Sequence, residues 1–193
     1  MGKKILVVLG HPSNESFCSA LADTYVAAAK ADGHDVQLLR LANLNFDPIL
    51  HYSKAHLQPL EADLLAAQSA IKWAEHLTFV YPIWWGGAPA LLKGFIDRVF
   101  LSGFAFKFHR GSPYPEQLLK GRTAHLLVTV DTPPWYFRWI YRMPGIHEMR
   151  KTTLEFCGIK PVKVLTFGPV MDSQDKQRDG WLAKARLLAG KIR

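Results

Sequence analysis

Ile5-Leu6-Val7-Val8-Leu9-Gly10-His11-Pro12-Ser13-Asn14-Glu15-Ser16 is the stretch on which the reading of the fold turns. Five aliphatic residues in a row read as a strand buried on both faces of a parallel sheet, because a strand with one wet face would alternate. Small and polar residues break the run at Gly10. Apolar residues then recur at helical spacing at Phe17, Leu21, Tyr25 and Ala28 until Gly33 stops the helix. Val36 to Leu41 reads as a second strand, which completes a β-α-β unit.

The same alternation continues outward. Asn43 to His56, with its Asp47-Pro48 break, reads as a loop, and Leu60, Leu64, Ala67, Ile71 and Ala74 mark one face of a second helix. Leu77 to Tyr81 is a third strand, and Pro89 suits the first turn of a third helix whose apolar face is Leu92, Phe95, Ile96 and Val99. Ala124 to Val130 and Val162 to Phe167 supply two more strands, and Gln174 to Ile192 a closing helix. Strands alternating with helices predict an α/β three-layer sandwich: a five-stranded parallel sheet in flavodoxin-like order 2-1-3-4-5, with helices on both faces. Ligands of such sheets bind beyond the carboxyl ends of strands one and three, where the strand order reverses.

Composition agrees with one domain spanning residues 1–193. With 193 residues, 49% hydrophobic and 21% charged, the chain can bury a substantial core, and disorder, collagen and coiled coil are excluded. The excess of 24 Lys and Arg over 16 Asp and Glu gives a net charge of +8, which points to anionic ligands or surfaces but does not choose among them. The basic residues come in ones and twos, so no polybasic anchor or nucleic-acid tail is read from them. Cys18 and Cys157 are far apart and form no CxxC, and His51 and His56 lack ligand spacing, so no disulfide framework and no metal site is expected. A reducing, cytoplasmic location is expected. The first apolar run is too short for a signal peptide, and prolines and glycines interrupt His76 to Leu92, which is therefore no membrane span.

Two loops carry unusual composition. Gly10 to Ser16 places hydroxyl, amide and imidazole groups before a helix N-terminus, an arrangement that can cradle a phosphate. Ser13 or Ser16 could equally be a plain helix cap, with His11 a satisfied loop residue. The loop is neither GxGxxG nor GxxxxGK[ST], so the dinucleotide and nucleoside triphosphate fingerprints are missing. Pro82-Ile83-Trp84-Trp85-Gly86-Gly87-Ala88 sets two indoles beside two glycines, which suits a flat ligand stacked on aromatic surface as well as an ordinary core or interface anchor. Together the loops outline a planar heteroaromatic ligand with a phosphate tail, as in flavin mononucleotide. No GxSxG elbow accompanies the serines, and Gly10-His11 stands where a receiver domain would have acidic residues.

Tyr81 to Phe100, then Gly103-Phe104-Ala105-Phe106, and the opening Leu9 to Phe17 closely resemble the flavodoxin-like NAD(P)H dehydrogenase (quinone) family. That family includes quinone reductases and the ancillary flavoproteins of potassium efflux systems. Similarity runs from Lys4 to about Phe108 and resumes at Leu154 to Ile159. The resemblance implies that His11, Ser16, Phe17 and Cys18 surround a flavin's phosphate end, and that Pro82, Ile83, Trp84, Trp85 and Gly86 hold the isoalloxazine. Cys18 stands where relatives often have asparagine. Relatives commonly show Thr-Thr-Gly-Gly after the fourth strand, whereas this chain has Thr129-Val130-Asp131-Thr132-Pro133-Pro134-Trp135, so only the loop's location carries over, with Asp131 and Thr132 near the pyrimidine edge.

Pro133 to Gly145 interleaves Trp135, Tyr136, Phe137, Trp139 and Tyr141 with Arg138 and Arg142, the composition of a substrate pocket, a dimer interface or both. Some relatives place a tyrosine and a histidine near the reacting flavin, and Tyr136 and His147 match them by position. The resemblance therefore implies a flavin-dependent enzyme that takes hydride from NAD(P)H and gives two electrons to quinones or similar acceptors by a ping-pong mechanism. FMN is the expected cofactor with FAD possible, a homodimer is expected, and nucleic acid is not an expected partner. The other function class open to the chain is a flavin-binding regulatory subunit of a potassium efflux transporter.

Overall fold

The computed structural model describes residues 2–51 and 58–192. Strand β1 (Lys4–Leu9) leads through helix α1 (Phe17–Ala31) to β2 (Asp35–Arg40), and a single 3-10 turn (Leu41–Asn43) precedes α2 (Ala62–Trp73). Then come β3 (His76–Pro82), α3 (Ala90–Val99), the two-residue strands β4 (Phe106–Lys107) and β5 (Glu116–Gln117), and β6 (Thr123–Thr129). Two short helices, α4 (Pro134–Trp139) and α5 (Pro144–His147), run into a π-helical turn over Glu148–Glu155, and β7 (Val162–Phe167) and α6 (Asp175–Ala189) finish the chain.

The main sheet has the order β2-β1-β3-β6-β7 with every pair parallel. With the β4–β5 hairpin left out of the count, this is the expected 2-1-3-4-5. Alternation across β1 sets the layers: Ile5, Val7 and Leu9 pack on one face with Leu21, Tyr25 and Ala185 of α1 and α6, whereas Leu6 and Val8 pack on the other with Leu64, Ile71 and Phe95 of α2 and α3. All seven residues of β3 are buried.

Within the sheet the differences are single residues, as where β2 ends at Arg40 and Leu41 opens the 3-10 turn; the larger ones lie outside it. Helix α6 ends at Ala189 instead of Ile192. The expected loop from Asn43 to His56 is irregular as far as His51, and 52–57, which include His56, lie outside the described residues. The helical segment after Pro133 has no single period, because Pro144 interrupts it and Phe137, Ile146, Met149 and Leu154 reach the core from three different short pieces. On that side Arg98 is fully buried and clasps the segment before α2: it pairs with Glu61 at 2.7 Å and donates to the carbonyls of Asp47 and, at 2.9 Å, Pro59.

One polar cluster is built into the sheet. Tyr25 Oη lies 2.8 Å from His125 Nδ1 and 3.3 Å from His76 Nε2, and His76 Nδ1 lies 2.6 Å from Thr123 Oγ1. Burial holds both imidazoles neutral: it pushes His76 down to about 2, helped by His125, His34 and Lys163, and His125 down to about 4, helped by Lys163. An unfolded histidine near 6.5 takes up a proton that the folded one refuses, so the unfolded chain gains protons first as pH falls. Stability should therefore be fully present above about pH 6.5 and decline below it, by about 1.4 kcal/mol per pH unit for each histidine. Urea unfolding at about pH 7 and about pH 5 measures this, and replacing both histidines with glutamine should flatten the difference.

Candidate active site

Because all five strands run the same way, the segments that leave β1, β3, β6 and β7 emerge at one edge of the sheet. The first is Gly10 to Ser16. Gly10 N–H donates to Val80 O at 2.8 Å, tying the loop to β3, and His11 Nδ1 accepts from Ser13 N–H at 2.9 Å. Ser16 caps α1: its Oγ accepts from Ser19 N–H at 3.2 Å and donates to Ser13 O at 3.2 Å. The cap leaves the N–H groups of Phe17 and Cys18 without a protein acceptor among the described residues, at the positive end of a 15-residue helix. The cap and the phosphate cradle are thus compatible readings of the same serine.

The second segment is a tight turn. Trp84 N–H donates to Gly87 O at 2.9 Å and Gly87 N–H to Trp84 O at 3.0 Å, with Trp85 at φ 50° and Gly86 at φ 78°. Positive φ at both central positions is the I′ geometry, easy for glycine and strained for tryptophan. Ile83 N–H donates to Thr129 O at 2.8 Å, so the turn hangs from the end of β6. Trp85 is fully exposed, while the Trp84 ring meets His11 edge-on at 5.5 Å and so bridges the first two segments.

The aromatic segment closes the third side. Arg142 (φ 57°) and Met143 (φ 50°) turn the chain sharply before Pro144. Gly145 N–H then donates to Gly86 O at 2.8 Å. The contact admits no side chain: a Cβ on Gly145 would lie 2.6 Å from Gly86 O and 2.8 Å from Gly87 Cα. Between these walls lies a cleft of about 500 Å³, lined by Ile83, Trp85 and Gly86 below, Asp131 and Thr132 beside, and Tyr141 opposite. Its size lies in the range of small-molecule sites.

Five expected residues, Ile83, Trp85, Gly86, Asp131 and Thr132, line this one cleft. Pro82 is the buried last residue of β3. Asp131 Oδ1 accepts from Val170 N–H at 3.1 Å and Met171 N–H at 2.8 Å, so the carboxylate also fixes the segment after β7. Phe17 packs on Trp181 at 5.6 Å with Arg178 above its ring. Cys18 is buried with Sγ 3.2 Å from Thr129 Oγ1, and burial pushes its thiol up to about 11. Tyr136 is half-buried against Tyr141 at 5.0 Å, and His147 is exposed with its N–H on Met143 O at 2.9 Å. Phe137, Tyr141 and Pro144 also line the cleft. The aromatic excess from Pro133 to Gly145 signalled that wall, but which aromatic faces inward depends on the turn at Arg142-Met143, which residue types do not announce.

An "Uncharacterized NAD(P)H oxidoreductase" of Haemophilus influenzae is 29% identical over 185 residues, 93% of this chain and 91% of that one. A "Ribosyldihydronicotinamide dehydrogenase [quinone]" of Pongo abelii is 29% identical over 210 residues, 92% and 87% of the two chains. The crystal structure of Smu.1420 from Streptococcus mutans superposes with a TM-score of 0.85 at 30% identity over 97% of this chain and 99% of that one. Residues 3–189 match the family described as flavodoxin-like fold, and the β2-β1-β3-β6-β7 sheet with its loops at one edge has that family's architecture. The chain belongs to the flavodoxin-like family.

Proposed function

We propose that the chain is a flavin-dependent NAD(P)H oxidoreductase that delivers two electrons to quinones or similar flat acceptors. The observation that carries this is the cleft between the Trp84–Gly87 turn, Asp131-Thr132 and Tyr141, one strand away from the unpartnered N–H groups at the start of α1. A single ligand would lay a flat ring in the cleft and a phosphate on the helix end, passing the His11–Trp84 junction. The Haemophilus and Pongo relatives, which match nearly the whole chain and are named for NAD(P)H and quinone chemistry, support the activity.

A bound flavin would supply the two-electron redox chemistry. The chain's own residues bind and orient. Ser16, His11 and the first N–H groups of α1 would hold the phosphate, and the N–H groups of Trp85 and Gly86, which have no protein acceptor among the described residues, would face the ring's polar edge with Thr132. Trp85 and Tyr141 would press donor and acceptor flat and exclude water. Tyr136 and His147, on the segment that closes the cleft, would furnish the proton that a reduced quinone takes up. FMN is the cofactor proposed, with FAD possible; the adenosine half of FAD would run along the first loop, which Asn14 ties to Asn43 at 2.8 Å.

Donor and acceptor share one cleft and so enter in turn. Trp135 (64% exposed), Trp139 (71%) and Ile140 form an apolar rim beyond it, which a second copy would cover in a homodimer. A cytoplasmic, reducing location is proposed, in which the buried thiols Cys18 and Cys157 would stay reduced.

The purified protein should carry or take up a yellow flavin, released by heat and identified by mass as FMN, that bleaches with NADPH or NADH and recolours with a quinone; a protein that takes up no flavin overturns the proposal. Gly145→Val should weaken flavin binding about tenfold or more, about 1.4 kcal/mol, while circular dichroism stays unchanged. Double-reciprocal plots at several quinone concentrations should be parallel, and intersecting lines would rule out the shared cleft. Trp139→Glu should convert a dimer to a monomer in light scattering.

A further inference from the structure

The buried histidines face a second cavity of about 440 Å³, at the amino-terminal edge of the sheet and therefore opposite the cleft. His76 opens β3, Thr123 opens β6, Lys163 is the second residue of β7, and Lys191 follows α6. These residues and His125 line the cavity, and no acidic side chain does. Neither Lys163 nor Lys191 has an ion-pair partner among the described residues. Glu75, the carboxylate next to His76 in the chain, is already held by Lys3 Nζ at 3.1 Å and Lys4 N–H at 3.0 Å. His34, the other titratable neighbour of His76, accepts from Lys3 N–H at 2.9 Å. The carbonyl end of α6 lies beside Lys191, so the positive charge here is carried by side chains and not by a helix end.

The hydrogen bonds form a chain that ends at the cavity. Thr123 Oγ1–H can donate to His76 Nδ1, His76 Nε2–H to Tyr25 Oη, and Tyr25 Oη–H to His125 Nδ1, all within 2.6 to 3.3 Å. In that direction His125 is a donor at Nε2, the one imidazole nitrogen of the pair without a protein partner among the described residues. A chain of polarised hydrogen bonds strengthens its terminal donor when that donor meets an anion.

We propose that this cavity binds a small dianionic oxyanion, a phosphate group free or on a compact metabolite, held by Lys163, Lys191 and the Nε2–H of His125. The two cations match a dianion better than a carboxylate, and the cavity leaves room beyond a bare phosphate for a short organic tail.

Flavin-saturated protein titrated with inorganic phosphate, glycerol phosphate and acetate tests the proposal, with the imidazole Cε1–H signals of His76 and His125 followed by NMR. Both signals should shift saturably, with half-saturation near or below about 1 mM for the dianions and at least about tenfold higher for acetate. Glycerol phosphate ahead of inorganic phosphate identifies a metabolite as the natural occupant; equality identifies the free ion. Lys163→Ala and Lys191→Ala should each weaken binding about tenfold without altering the flavin absorbance. Unshifted histidine signals, affinity unchanged in both variants, or acetate binding as well as phosphate would each overturn it. The readout does not depend on turnover, so it stands or fails separately from the oxidoreductase reading.

Discussion

Strand β3 is hydrogen-bonded along both edges and buried on both faces, and the other elements are arranged around that constraint. Its backbone groups are satisfied by β1 and β6 and its side chains by two separate cores, one under α1 and α6 and one under α2 and α3. A strand so enclosed can leave the sheet only abruptly. Pro82 ends it, Ile83 makes one last bond to β6, and the chain reverses within the Trp84–Gly87 turn. The strained tryptophan at the tip therefore stands where a fully buried strand has to become surface. Strain of this kind is sustained only where its surroundings over-determine it, and here the bonds to Thr129 and Gly145 do so.

Much of the sheet was legible in the sequence. Mostly apolar runs located β1, β3 and β6 to within about a residue, because burial on both faces leaves no alternation to blur the signal, and the edge strand β7 was found despite its exposed Lys163. The two loops were legible as well, since serines before a helix and glycines beside tryptophans are locally unusual. The path of the wall from Pro133 to Glu155 was not, although its aromatic excess marked where it lies. Its three short pieces follow no common period, and its path depends on left-handed residues at Arg142 and Met143 that glycine or asparagine would have advertised. The histidine pair was equally hidden, because its members are 49 residues apart in the chain and meet only through the β3–β6 register.

Only a small part of the net charge of +8 sits at the two clefts. The strand-end edge presents backbone: the first N–H groups of α1 have no protein acceptor among the described residues, and the cleft lining contains no basic side chain. The opposite edge relies on lysines, where helix carbonyl ends would otherwise repel an anion. The two ends of the sheet thus present different groups, main-chain N–H at one and lysine side chains at the other.

Gly86 and Gly145 meet through main-chain atoms alone. The frame of the cleft is therefore written in backbone, while its lining is written in the side chains of Trp85, Phe137 and Tyr141. Exchanging those side chains reshapes what enters without changing how the walls join. A fold built this way can change clients by single substitutions while its architecture stays fixed, and the two glycines mark the places where that freedom stops.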